Sequence, residues 1–316
     1  MKLIFSAATG PPELVQPLWR VLAISQLQLG VGGVMLLADG KGADMLPVYN
    51  AGIGQCLCIE SASIHRAIAY VHDELHRRKQ VYKRLVARGV PESFPILALV
   101  IDEFGAWAGR GLAKGAAKAD AAGVQAALAK LLLVLRQGRS LGIHVLISSQ
   151  GVTVEDGINT TLLSVVSSRI VVGRPEGGSG SVIDKLFAES ERPRVKQAAA
   201  EIPPGSRGVG VVVDEDGNPT IFKAFYNDGS DAEVFDRAIA VGGRRPRFAW
   251  QFPDDGGAWL QRTCAEGGDI PSVDDIPVIA LETADGTYLR DRARYDEGSP
   301  DYDPGAPPSN AAHATY

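Results

Sequence analysis

The chain has 316 residues, of which 45% are apolar and 22% charged, enough for a globular core arranged as one large domain or two small ones. No run of about 18 uncharged apolar residues occurs, so no membrane-spanning helix is expected, and the apolar part of the opening MKLIFSAATG is too short for a secretory leader. The formal charge of −5 is uneven: residues 244–316 carry 7 Arg and 13 acids, which leaves +1 for residues 1–243, a balance that neither requires nor excludes a basic channel.

In chain order, the first continuous apolar run that reads as a buried strand is Val34-Met35-Leu36-Leu37-Ala38, ending at Asp39. Cys56, Cys58 and Cys264 lack metal-ligand spacing and are read as reduced thiols of a cytoplasmic protein. From Ser61 to Arg88 the apolar residues Ile64, Ile68, Val71, Leu75, Tyr82 and Leu85 recur mostly every three or four positions, which predicts an amphipathic helix stopped by Gly89 and Pro91. Ile96 to Ile101 predicts a second strand. The Gly/Ala/Lys-rich stretch from Gly105 to about Gly123 reads as a mobile loop leading into a helix over Val124–Gln137. Gly142–Ile147 and Arg169–Val172 predict two more strands, and Val209–Val213 with Thr220–Phe225 a terminal hairpin. Strands alternating with helices imply parallel βαβ units.

Beyond Gly242, Gly, Pro and Asp become dense and helical periodicity is lost. Trp250, Phe252 and Trp259 are expected to dock locally, and residues 295–316 to be disordered. The expected organisation is one α/β domain over residues 1–230, with residues 231–316 as an acidic, Gly/Pro-rich, largely disordered extension.

Leu97-Ala98-Leu99-Val100-Ile101-Asp102-Glu103-Phe104 has the order that nucleotide hydrolysis needs. A strand delivers a first carboxylate, Asp102, to its C-terminal edge as a Mg²⁺ ligand, and a second, Glu103, reaches past it toward an attacking water as general base. Apolar runs followed by two acids also end ordinary strands. One helix later, Gln137-Gly138-Arg139-Ser140-Leu141-Gly142-Ile143-His144 leads through Val145–Ser149 to Gln150, a polar strand end suited to sensing a γ-phosphate.

Taken as a set, these segments resemble the RecA-like motor domain of the FtsK/SpoIIIE/TraB DNA translocases. Leu36-Leu37-Ala38-Asp39-Gly40-Lys41-Gly42 is similar to that family's "IDPKG" strand end, Glu74-Leu75-His76-Arg77-Arg78 to its E-x-x-RR helix, and Ser168-Arg169-Ile170 to its arginine-bearing strand. The similarity spans roughly residues 6–225 and implies a three-layer αβα P-loop NTPase sandwich with a mainly parallel sheet. It implies ATP and Mg²⁺ as cofactors, Asp102 as metal ligand, Glu103 as base and Gln150 as sensor. Arg169 would be an arginine finger acting on a neighbouring subunit; an arginine beside a strand that simply pairs with an acid is the equal alternative. The implied partners are double-stranded DNA, held mainly by its phosphates, and further subunits in a hexameric ring, either copies of this chain or an active paralogue. The implied place is the cytoplasm, with any membrane attachment through a partner.

The phosphate loop departs from the family pattern. No G-x-x-x-x-G-K-[ST] string occurs, and at the expected place stand Thr9, Gly10, Pro11, Pro12 and Glu13. Two prolines remove two N–H donors where phosphate oxygens need them, and no lysine lies close in sequence: Lys2 is upstream and Lys41 follows the next strand. Two alternatives to a working translocase therefore stay open: a catalytically silent or truncated paralogue that serves as a structural ring subunit, and a HerA-like or packaging motor. A Rossmann reading of Gly30-Val31-Gly32-Gly33 fails, because these glycines precede a strand instead of following one.

Overall fold

The computed structural model describes residues 2–7, 32–42, 44–90, 93–173, 182–204, 206, 208–213, 217–223, 231–252 and 273–306. Their centre is an eight-stranded sheet. Six strands run parallel: β1 (Lys2–Ala7), β2 (Val34–Asp39), β3 (Cys56–Cys58), β4 (Leu97–Asp102), β5 (Ile143–Ser149) and β6 (Ser168–Val172). The antiparallel hairpin of β7 (Val209–Val213) and β8 (Pro219–Lys223) extends one edge, so the order across the sheet is β3-β2-β4-β5-β1-β6-β7-β8. The terminal hairpin thus forms where it is expected.

The continuous apolar runs are explained by burial on both faces. Successive side chains of a strand point to opposite sides. Accordingly Leu36, Ala38, Leu97, Leu99 and Ile101 enter one core, while Met35, Leu37 and Val100 enter another. The first core is covered by α2 (Ser61–Val86), α3 (Phe104–Leu112) and α4 (Lys118–Gln137), which contribute Ile68, Val71, Trp107 and Leu131. The second is covered by α1 (Leu46–Asn50) and α8 (Asp231–Gly242), which contribute Val48, Tyr49, Phe235 and Ala238. The short helices α5 (Thr160–Val165), α6 (Val182–Leu186) and α7 (Arg192–Ala200) add Leu162, Ile183 and Val195 to the first core. The result is the expected three-layer αβα sandwich.

The glycine-rich stretch after β4 differs from its expected mobile loop. Residues Phe104–Leu112 form α3, and α4 begins at Lys118. Glycine there serves close packing: a Cβ on Gly111 would press against Val124 and the Asp120 carbonyl of α4. Composition alone reads such glycines as flexibility.

Residues 231–252 and 273–306 also differ from the expected disordered extension. Helix α8 covers the sheet, and β9 (Phe248–Trp250) pairs antiparallel with β10 (Val278–Ala280). Phe248, Trp250 and Ile276 belong to the same core as the central strands. Trp250 docks not locally but onto the main sheet, its Nε1 donating to Cys58 Sγ at 3.2 Å. Glu297 accepts from Ser63 Oγ and the Glu60 backbone N–H, both at 2.9 Å, at the start of α2. These segments are irregular, with three-residue strands and 3₁₀ turns, yet they are packed onto the core of the sandwich. Their anchors are single aromatic and charged residues without a period, which pattern analysis cannot detect. Trp259, Cys264 and residues 307–316 lie outside the described residues.

Candidate functional site

The carboxyl edge of the parallel sheet gathers the chemistry. Strand β5 lies between β1 and β4, so the strand preceding Thr9–Glu13, the strand ending in Asp102 and the strand leading to Gln150 are direct neighbours. Ser6 stands opposite Ser149, and β1 therefore delivers the chain to the edge where Gln150 begins. Thr9, Gly10, Pro11, Pro12 and Glu13 lie outside the described residues.

Asp102 is the last residue of β4 and stands in register with Asp39, the last residue of β2. Both are buried. Asp39 is fully engaged: Oδ1 accepts from the N–H groups of Lys41 and Gly42 at 2.9 and 2.8 Å, and Oδ2 from those of Asp44 and Met45 at 2.7 and 2.9 Å. Burial raises the Asp102 carboxyl to about 7, with the neighbouring charges of Asp39 and Glu103 acting in the same direction and a hydrogen bond from Ser148 opposing them. A carboxylate held so reluctantly is the kind of group whose charge a bound divalent cation would stabilise.

Glu103 follows in the left-handed region at φ 48°, the sole non-glycine residue with positive φ among the described residues. Such strain, costing about 1–3 kcal/mol, persists where surrounding contacts over-determine it and is concentrated at functional sites. Here the contacts are explicit. The Ala106 N–H donates to the Glu103 carbonyl at 2.9 Å, starting α3, and a Cβ on Gly40 would overlap that same carbonyl oxygen. Only glycine at position 40 lets β2 and the turn after β4 come this close.

The Glu103 side chain is where the site converges. Its Oε1 accepts from Gln150 Nε2 at 2.6 Å and from Lys41 Nζ at 2.8 Å. The structure thus brings together Asp102, Glu103 and Gln150, and adds Lys41, which sequence distance had set apart. Lys41 follows β2, but β2 is hydrogen-bonded to β4, so the two strand ends are adjacent. The Asp-Gly-Lys-Gly string at a strand end was the available signal. Arg169 is not brought to this group. It lies on β6, three strands from β4, with Nη1 3.3 Å from Glu191 Oε2 and Nη2 donating to the Leu163 carbonyl at 3.0 Å. Those contacts match the pairing alternative. Among the described residues there is no group of three or more His, Cys, Asp or Glu side chains placed to hold a metal ion, and no helix is long and apolar enough to cross a membrane.

The fold is a three-layer αβα sandwich with a mainly parallel sheet, and its carboxyl edge carries Asp102, Glu103 and Gln150. Among solved structures, the chain is similar to TcpA, the pCW3 conjugation coupling protein in its monomer form with ATPγS, with a TM-score of 0.57, 20% identity, and 76% of this chain and 64% of that one covered. It is also similar to the cytoplasmic domain of EssC, with a TM-score of 0.51, 15% identity, and coverage of 89% and 54%. The chain therefore spans less than two thirds of the length of either, and at these identities the likeness is one of fold. No protein-family model and no curated protein matches the chain.

Proposed function

We propose that the carboxyl edge is the hydrolytic centre of an ATP-driven motor that works as a ring subunit on double-stranded DNA in the cytoplasm. One observation carries this reading: Glu103 and Gln150, 47 residues apart in sequence, meet at 2.6 Å beside the buried Asp102. Structural acids at a strand end have no need of this convergence or of a strained backbone.

The described residues fit Mg-ATP on the side of the metal and the attacking water. Asp102 would hold the metal; Asp39, saturated by four N–H donors, would hold the loop beside it. Bound Mg²⁺ would neutralise charge on the phosphates. Glu103 then takes the proton from the attacking water, and Gln150 fixes the position of Glu103 and of that water. Arg169 is given no part within its own subunit, because Glu191 and the Leu163 carbonyl already hold its guanidinium.

A second reading, a silent subunit of a ring powered by another chain, is favoured by Pro11 and Pro12 in the phosphate loop. Mg-ATP hydrolysis by the purified chain, with and without double-stranded DNA, separates the two. DNA-stimulated turnover that disappears in Glu103→Gln supports the motor. Assembly into rings without turnover supports the silent subunit.

A further inference from the structure

We propose that Lys41 exchanges its ion pair with Glu103 for one with the γ-phosphate of a bound triphosphate. The inference rests on the nucleotide-binding reading above.

The backbone under Lys41 is built to hold a side chain in place. Its own N–H and that of Gly42 are bound by Asp39 Oδ1. The preceding Gly40 donates its N–H to the Asp102 carbonyl at 2.9 Å, and its carbonyl accepts from Arg110 Nη2 at 2.7 Å. Gly42 takes φ +82°, which bends the chain sharply after the lysine. Both strand ends and α3 therefore fix the root of Lys41.

The side chain is not fixed in the same way. It is 44% exposed, whereas that of its partner Glu103 is 11% exposed. A four-carbon stem on a pinned root can move its ammonium group by several bonds' rotation without disturbing the fold. Its present partner is the carboxylate assigned to the water that attacks the γ-phosphate, so the exchange needs a swing of one side chain only.

The charge balance favours that exchange. Thr9–Glu13 carries no lysine or arginine and one acid, Glu13. Lys41 is the one cation that the described structure places on Glu103. Its departure would leave Glu103 Oε1 bonded to Gln150 alone, with a lone pair available for a water proton. Binding of the triphosphate and freeing of the base would then be a single event.

The test is titration calorimetry of the full chain with Mg-ATPγS and with Mg-ADP, comparing wild type, Lys41→Met and Lys41→Arg. Lys41→Met is expected to weaken ATPγS about tenfold or more while ADP stays within about twofold, and Lys41→Arg to recover part of the loss. Equal weakening of both nucleotides, or of neither, overturns the inference while leaving the nucleotide site standing. Wild-type chain that binds neither nucleotide overturns the site reading and the inference together. Lys41→Gln, which keeps much of the stem, replaces Lys41→Met if the latter does not fold.

Discussion

Asp39 and Asp102 end adjacent parallel strands in the same register, and the two buried carboxyls are treated differently by the fold. Asp39 receives four backbone N–H donors, whereas Asp102 is left with its carboxyl raised to about 7, by burial first and by the charges of Asp39 and Glu103 after it. One acid organises the loop that carries Lys41, and the other is held buried with its carboxyl raised.

The pH dependence of stability follows from Asp102. Its folded pKa lies above its ordinary value of 3.8, so its contribution to stability is fully present below about pH 4 and is lost as pH rises through about 7. A rise of that size corresponds to roughly 4 kcal/mol at most. Glu297, which burial also raises to about 7, adds a slope of the same sign. Urea denaturation at pH 5 and pH 8 should show the wild type losing stability at the higher pH and Asp102→Asn losing less. Mg²⁺ should recover the wild type at pH 8 and leave Asp102→Asn unchanged; equal responses would remove Asp102 as a metal ligand.

Gly40→Ala places a methyl group against the Glu103 carbonyl and the Trp107 N–H, both backbone groups that cannot rotate away. Overpacking of this kind costs about 1–3 kcal/mol. Chemical denaturation should show that loss. Any hydrolytic activity should fall together with it, because the displaced carbonyl belongs to Glu103. Wild-type stability in the Gly40→Ala variant would mean that the two strand ends separate easily.

Glu74 and Arg78 tie α2 to the start of β5. Arg78 Nε donates to Glu74 Oε1 at 2.6 Å and Nη1 to the Leu141 carbonyl at 2.7 Å, and the Arg78 side chain is 6% exposed. Removing the acid strands a buried cation, so Glu74→Ala should cost about 3–5 kcal/mol. The double variant Glu74→Ala, Arg78→Met should recover a large part of it. If the single and double variants denature alike, the pair has no coupling.

Ending the chain at residue 230 should destabilise the αβα core. The cut removes Phe235 and Ala238 from one sheet face, and Phe248, Trp250 and Ile276 from the core on the other. Trp250→Ala alone should cost about 3–5 kcal/mol. Thermal melts of the shortened chain matching those of the full chain would restore the view of this segment as a mere extension.

The sequence alone makes the parallel sheet and the acid pair legible. Apolar runs such as Leu97–Ile101 can hardly be anything but strands buried on both faces, and the acids that follow them must fall on the sheet edge. It determined the helix Ser61–Val86 through its period, and named Gln150 by its place at a strand end. What it could not decide was which strand ends are neighbours. That order is set by long-range pairing and leaves no local trace, so only the tertiary structure placed β2 beside β4 and Lys41 on Glu103. It also turned Gly111 from apparent flexibility into close helix contact, and joined residues 231–252 and 273–306 to the core through single anchors such as Trp250. Periodic burial is written locally along the chain, whereas a contact that spans 47 positions, as from Glu103 to Gln150, or 192, as from Cys58 to Trp250, is decided only when the chain folds.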